Sequence, residues 1–304
     1  MNTLGISIVV PCYNVGLFLR ENIQSILAQK FKYPCEVIVV DDASDNEATR
    51  QVLEEIKENP KIKVIQLLEN QGVQHARNVG IKAASFDFVF SIDADDMLSV
   101  DEDILINGTY ADRAIDLLLS SPDMAFVQAP WYMCGEYSGF TISSYPVTER
   151  LVLKKHHVQT SIVYRREDAL RAGLYDEEIE KWQDWSFAVG LLDGRFVAGK
   201  ENKIGYLKEP YYLYRIHSQT EKISHKKIDE KEMIYKTILR HPDIFKKYYP
   251  NRSYSDIATS VFSKKPNRFL ELIYVAKNDI TVALNIIKQR GSDLMRKNEI
   301  QNIP

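Results

Sequence analysis

The sequence predicts an α/β protein with a mostly parallel central sheet flanked by helices, and three observations carry that expectation. Continuous apolar, largely β-branched runs recur at ISIVV (6–10), CEVIVV (35–40), IKVIQLL (62–68) and FDFVFSI (86–92), the pattern of strands buried on both faces. Between them lie helix-like stretches, GLFLRENIQSILAQ (16–29), NEATRQVLEEIKEN (46–59) and GVQHARNVGIKAAS (72–85). Strand and helix thus alternate as right-handed βαβ units do. Third, polar groups collect directly behind each strand, as PCYN, DDASD, ENQG and DADD. In open parallel sheets ligands bind beyond the carboxyl ends of the strands, so these four stretches form the expected rim of a site.

Further along, GTYADRAIDLLLSS (108–121) reads as a helix and MAFVQAP (124–130) as a strand. The stretch 131–159, rich in Tyr, Gly and Ser, is expected to form a hairpin or an acceptor-side loop. TSIVYR (160–165) reads as a strand, REDALRAG (166–173) as a short helix and KWQDWSFAVGLLDG (181–194) as a longer one. After Leu213 the pattern is helical and basic, broken at Pro242, Pro250 and Pro266.

A chain of 304 residues can bury a large α/β core, and 45% apolar with 27% charged residues are globular values that exclude disorder as the default. Cys12, Cys35 and Cys134 form an odd, sparse set without CxxC spacing. They argue for a reducing compartment and against a disulfide framework or a zinc site. The opening MNTLGISIVVPCYN has no basic leader and no long apolar core, and no stretch reaches the roughly 18 apolar residues of a membrane span. A cytoplasmic location is expected, with no nucleic-acid partner. The net charge of −3 hides an asymmetry: from Lys222 onward there are 17 Lys/Arg against 9 Asp/Glu, whereas the whole chain has 39 against 42. This basic part is either a set of solvated helix faces or a surface that meets an anionic membrane or acceptor.

The carboxylates behind the strands point to chemistry. If the fourth strand stays extended past Ile92, Asp93 and Asp95 project from one face. There they could share a divalent cation, or one could hold the metal while the other accepts ribose hydroxyls. Hard oxygen ligands suit Mg²⁺ or Mn²⁺, and these ions suit a diphosphate; the alternative is an Asp-rich turn or cap. Asp41 and Asp42 end the second strand, where an ionised Asp can accept an imide N–H of uracil or an amide-like N–H of guanine, unless Asp42 or Ser44 caps the next helix. A dinucleotide-binding fold fails, because its first turn needs GxGxxG and VVPCYNVGLFL has one Gly and a Pro.

Taken together, VVPCYN, VIVVDDASDN, ENQGVQHARNVGIKAA, SIDADDML, WQDW and YRIH, in that order, resemble the family 2 glycosyltransferases over roughly residues 5 to 218. The resemblance implies a GT-A fold and an inverting, metal-dependent transfer from a nucleotide sugar, UDP-linked in the first instance, in enzymes of the bacterial surface-glycan type. It divides the chain into a GT-A domain at 1–218, with a nucleotide-binding half at 1–98 and an acceptor half at 99–218, and a basic helical C-terminal extension at 219–304. It assigns Pro11, Tyr13, Asn14, Asp41, Asp42, Arg77, Asp93 and Ala94 to the nucleotide, Asp93 facing the ribose. Asp95, Asp96 and His217 would hold Mn²⁺ or Mg²⁺. Asp184, in KWQDW, would be the base that takes the proton of the acceptor hydroxyl.

Where the family has Glu before that base, this chain has Gln183, so a negative neighbour is missing. Trp182 and Trp185 read either as a sugar-stacking wall or as core. The acceptor implied is a glycan or lipid-linked hydroxyl, with the basic extension as a peripheral membrane contact. Two rivals stand beside this reading. A sugar nucleotidyltransferase needs a Gly-rich basic loop after the first strand, which PCYNVGLFLR is not; a non-catalytic nucleotide-sugar-binding protein would leave Asp184 without a task.

Overall fold

The computed structural model describes residues 3–136, 138–140, 148–155, 158–217 and 228–263, with scattered helical positions between 272 and 288. The first half runs β1 (Ile6–Cys12), α1 (Phe18–Leu27), β2 (Cys35–Asp41), α2 (Glu47–Lys57), β3 (Ile62–Gln66), α3 (Val73–Ala83), β4 (Phe88–Ser91), β5 (Met97–Leu98), α4 (Glu102–Leu105) and α5 (Tyr110–Ser120). There follow β6 (Met124–Gln128), β7 (Trp131–Gly135), β8 (Gly139–Phe140), α6 (Glu149–Val152), β9 (Val163–Arg165), α7 (Arg166–Arg171) and α8 (Gln183–Val197). The remainder is β10 (Lys203–Tyr206), β11 (Tyr212–Ile216), α9 (Glu230–Arg240), α10 (Pro242–Tyr248) and α11 (Tyr254–Ser263).

Seven strands form the main sheet in the order β10-β6-β9-β4-β1-β2-β3. All run parallel except β9, which lies antiparallel between β4 and β6. The expected α/β architecture is therefore present. Alternation along β1 shows why its run is apolar throughout. Ile6, Ile8, Val10 and Cys12 face the layer of α1, α2 and α5, while Val9 faces the layer of α3 and α8. Pro11 is tolerated inside this central strand because its nitrogen lies on the β4 side, where the ladder has already closed with the Ile92 amide donating to the Val9 carbonyl at 3.0 Å.

A second sheet, β5-β11-β7-β8, stands beside the carboxyl edge of the first. Its β7 and β8 pair antiparallel, the hairpin expected within 131–159; residues 137, 141–147 and 156–157 of that stretch lie outside the described residues. The helical reading after Leu213 needs correction. Tyr212–Ile216 is a strand paired with β5 and β7, and the next helix among the described residues is α9, from Glu230. Pro242 opens α10 rather than merely ending α9, as proline at a first helical position can; Pro266 and the boundary at 218 lie outside the described residues. In the C-terminal part, Ile234, Ile238, Ile244, Phe245, Ile257, Ala258 and Val261 bury against the same core that α8 lines. Among the described residues no helix is long and apolar enough to cross a membrane.

Candidate functional site

The site forms where the first sheet ends. Asp42, just past β2, is buried and spends both carboxylate oxygens on backbone: the amides of Gln71 and Gly72 each donate to it at 2.8 Å. This fixes the start of α3, whose N-cap Gly72 sits at φ 93°, a conformation that favours glycine. Asp42 does not cap α2, and neither does Ser44. Asn46 does, its side chain accepting from the Thr49 amide at 2.9 Å. Asp41 accepts from the Ser44 amide at 3.1 Å and has a long 3.5 Å contact from Gln66, so it keeps more acceptor capacity than Asp42.

Once its start is fixed, α3 presents Arg77 to the edge of the sheet. A turn further on, Gly80 lets the helix lie directly on β1, since a Cβ there would stand 2.3 Å from Val9 Cγ1. The Arg77 guanidinium donates to Asp93 at 2.7 Å and to Asp184 at 3.3 Å, and its side chain is 4% exposed. Burial alone would pull its pKa down, but Asp93 and Asp184 beside it reverse that and hold it above the ordinary value. The Tyr175 ring lies beneath, 5.2 Å from the guanidinium carbon. One buried cation thus joins the acidic turn after β4 to the first turn of α8, where Asp184 lies 107 residues beyond Arg77. Arg77 is thus buried between two carboxylates and is not a surface ion pair on a helix.

The DADD segment is a turn. The Asp96 amide donates to the Asp93 carbonyl at 3.0 Å, so Asp93 and Asp95 do not project from one face as they would in an extended chain. Protein donors cap its outward carbonyls. Asn22 Nδ2 reaches those of Asp93 and Asp96 at 3.0 and 2.9 Å, and Arg215 Nε reaches that of Asp95 at 2.8 Å. Asp96 is 1% exposed. It accepts from the Tyr212 hydroxyl at 2.6 Å and from the Arg215 amide at 2.8 Å, and burial, followed by the charges of Asp95 and Asp93, pushes its pKa well up. Both its oxygens face protein donors. The expectation that Asp96 supplies a metal ligand is therefore dropped; it braces the turn against β11. Ala94 is buried in the turn itself.

Asp95 instead faces His217, whose Nε2 lies 2.8 Å from Oδ2. His217 is 8% exposed, its Nδ1 has no hydrogen-bond partner among the described residues, and its ring lies 4.7 Å from that of Phe18. Among the described residues no three His, Cys, Asp or Glu side chains converge. A carboxylate and an imidazole side by side suit Mn²⁺ or Mg²⁺ only if substrate oxygens complete the shell, as is usual for ions that bind with phosphates.

Asp184 lies in the first turn of α8. Oδ1 accepts from Arg77, Oδ2 accepts from the buried Thr160 hydroxyl at 2.9 Å, and the side chain is 22% exposed. It is thus held on two sides and open on a third. Trp185 is fully buried and donates to the Val152 carbonyl at 2.7 Å. It is core, so the sugar-wall reading does not hold for it. Just past β1, Tyr13 is 46% exposed, an aromatic face open to stacking. Asn14, at φ 52°, staples the two loops, its side chain binding Asp45 and accepting from the amides of Asp45 and Asn46.

Several contributors stand outside the residues expected from sequence. Asn22 occupies a buried position in the amphipathic pattern of α1, a polar residue among Leu19, Ile23 and Ile26, which was a usable signal. Arg215 stands inside the same YRIH motif that pointed to His217. Tyr214 lies on the face of β11 that carries Tyr212, stacked 5.0 Å from Trp131. Its pKa is pushed up to about 12, by burial and then by Asp96, Asp93, Asp95 and Asp184, so its hydroxyl stays neutral among these carboxylates.

Comparison with known proteins bears on the fold. Residues 7–105 match the model of glycosyl transferase family 2. Poly-beta-1,6-N-acetyl-D-glucosamine synthase of Staphylococcus aureus is 37% identical over 97 residues, 32% of this chain and 23% of that protein; the Staphylococcus epidermidis protein of that name is 34% identical over the same length. The chain thus spans about a quarter of these curated relatives. Among solved structures, S. aureus TarS 1–349 in complex with UDP-GlcNAc superposes with a TM-score of 0.61 at 20% identity, covering 90% of this chain and 71% of that one. The mannosyltransferase PcManGT of Pyrobaculum calidifontis, in complex with GDP-Man and Mn2+, superposes at 0.54 with 16% identity, covering 98% and 89%. The fold is GT-A.

Proposed function

We propose that this protein is an inverting glycosyltransferase that moves a monosaccharide from a UDP-sugar to a hydroxyl of a glycan or lipid-linked acceptor. The observation that carries the reading is the buried guanidinium of Arg77, shared by Asp93 and Asp184 at the carboxyl edge of a mostly parallel sheet. Direct displacement at an anomeric carbon needs a base on one side and a leaving diphosphate on the other, and the shared cation fixes the spacing between the two. Asp184, gripped by Arg77 and Thr160, takes the acceptor proton. Asp93 faces the ribose. Tyr13 offers its ring to the base, and Asp41, with spare acceptor capacity, reads it, while Asp42 holds the loop that starts α3. Asp95 and His217 are the residues that would hold Mn²⁺ or Mg²⁺; such an ion, when bound, offsets charge on the leaving diphosphate. UDP is favoured because TarS crystallises with UDP-GlcNAc and with UDP, and an N-acetylhexosamine because the curated relatives are named for N-acetyl-D-glucosamine polymers.

A thermal-shift panel of UDP, UDP-GlcNAc, UDP-Glc and GDP-Man with Mn²⁺ tests the donor. A ligand at a hundred times its Kd stabilises by about 2.7 kcal/mol, several degrees for a chain this size. UDP compounds are expected to raise the melting temperature in a Mn²⁺-dependent way. Indifference to all four, or a response to GDP-Man alone, would overturn the UDP assignment.

A further inference from the structure

Helix α8 starts under strain. Its N-cap is Trp182 at φ 65° and ψ 28°, in the left-handed region, and no side chain caps the helix. A bulky residue there is strained and persists only where its surroundings hold it. What holds it lies beyond the GT-A core. The indole Nε1 of Trp182 donates to Glu230 Oε2 at 3.1 Å, and Lys181 Nζ pairs with Glu230 Oε1 at 2.7 Å. One carboxylate therefore grips the two residues that immediately precede the helix.

Glu230 is itself anchored. It is the first residue of α9, behind the Asp229 cap that accepts from the amides of Lys231 and Glu232. One turn after Met233, Thr237 donates to Ser186 Oγ of α8 at 3.0 Å. The backbone angles at Trp182 set the direction in which the first turn of α8 leaves the loop. Were they to relax to the right-handed or extended region, Asp184, two residues on, would leave its 2.9 Å contact with Thr160 and its 3.3 Å contact with Arg77. The grip also keeps the Lys181 ammonium paired away from Asp184.

We infer that Glu230, on the C-terminal extension, is a positioning residue for Asp184, acting through Trp182 and Lys181. The inference rests on reading Asp184 as the base. It gives the extension a part in the reaction that neither the match at residues 7–105 nor the basic character of the segment suggests.

The test measures UDP release from UDP-GlcNAc with Mn²⁺ by the full chain, and UDP affinity by calorimetry, for wild type, Glu230→Leu, Glu230→Gln and Asp184→Asn. Misplacement of a reacting group by about 1 Å can cost on the order of a hundredfold, so Glu230→Leu should lower kcat roughly ten- to a hundredfold. KM for the donor and the Kd of UDP should stay within about twofold. Glu230→Gln keeps an acceptor for the indole and loses the lysine pair, and should fall between; if Glu230→Leu does not fold, this variant alone decides. Wild-type kcat in both, with Asp184→Asn inactive, overturns the inference and leaves the base in place. So does a fall in kcat matched by an equal loss of UDP affinity. An active Asp184→Asn, or a wild type that releases no UDP, removes the underlying reading and the inference with it.

Discussion

Replacing Arg77 with leucine removes the cation that Asp93 and Asp184 share. Truncating one partner of a buried ion pair costs about 3–5 kcal/mol. Here Asp93 and Asp184 are 31% and 22% exposed, so water can reach them and the cost drops to about 2–3 kcal/mol. At roughly 2–4 °C per kcal/mol for a chain of this order, the melting temperature should fall by about 5–10 °C. The sign of a second change is more telling. In the wild type, Asp184→Asn weakens the hold on Arg77 and should destabilise. In the leucine background it removes one of two carboxylates left facing each other, and should be neutral or stabilising. Melting curves for the four proteins of this cycle give a coupling expected at about 1–3 kcal/mol. If Asp184→Asn shifts the melting temperature equally in both backgrounds, the shared-cation account is wrong.

Thr160→Val removes the hydroxyl that binds Asp184 Oδ2 at nearly constant volume; UDP release should fall about tenfold with little change in donor KM, and an unchanged kcat would mean the contact does not orient the base. Glu177 is held below its ordinary pKa of 4.5 because its hydrogen bonds from Asn78 and His75 outweigh the opposing effect of burial. A depressed carboxylate stabilises above its unfolded pKa and loses that contribution as pH falls through the folded one. The melting-temperature gap between wild type and Glu177→Gln should therefore be present at pH 7 and close below about pH 4; a gap that widens with acid would refute the sign. Gly80→Ala drives a methyl into Val9, which should cost about 1–3 kcal/mol by overpacking, lift α3 and slow UDP release. A variant as stable and as active as wild type would show that the helix has room to spare.

The parallel half of the sheet was readable because burial on both faces forces an unbroken β-branched run, as in ISIVV. Strand β9 was readable as a strand but not as the one antiparallel member, since direction leaves no mark on three residues. The second sheet was largely hidden: β5 is two residues long, and β11 follows a tyrosine-rich run whose periodicity is ambiguous. Within the site, residue types and spacing located the acidic turn, because carboxylates behind apolar strands are costly without a purpose, whereas Asp184, in the first turn of a helix, was marked only by the family resemblance of WQDW. What they could not say is which carboxylates the protein itself consumes. Asp42 and Asp96 look like ligand-binding residues in sequence, and each spends both oxygens on protein donors. Arg77, Thr160 and Glu230 act across 24 to 107 residues, and nothing local in the chain records such pairings.

The most direct measurement is anomalous scattering at the manganese edge from crystals grown with UDP and Mn²⁺. The account expects one manganese peak within about 2–2.6 Å of Asp95 and of diphosphate oxygens, with uracil against Tyr13 and the ribose toward Asp93. Nucleotide bound away from this sheet edge, or a metal that ignores Asp95, would contradict it.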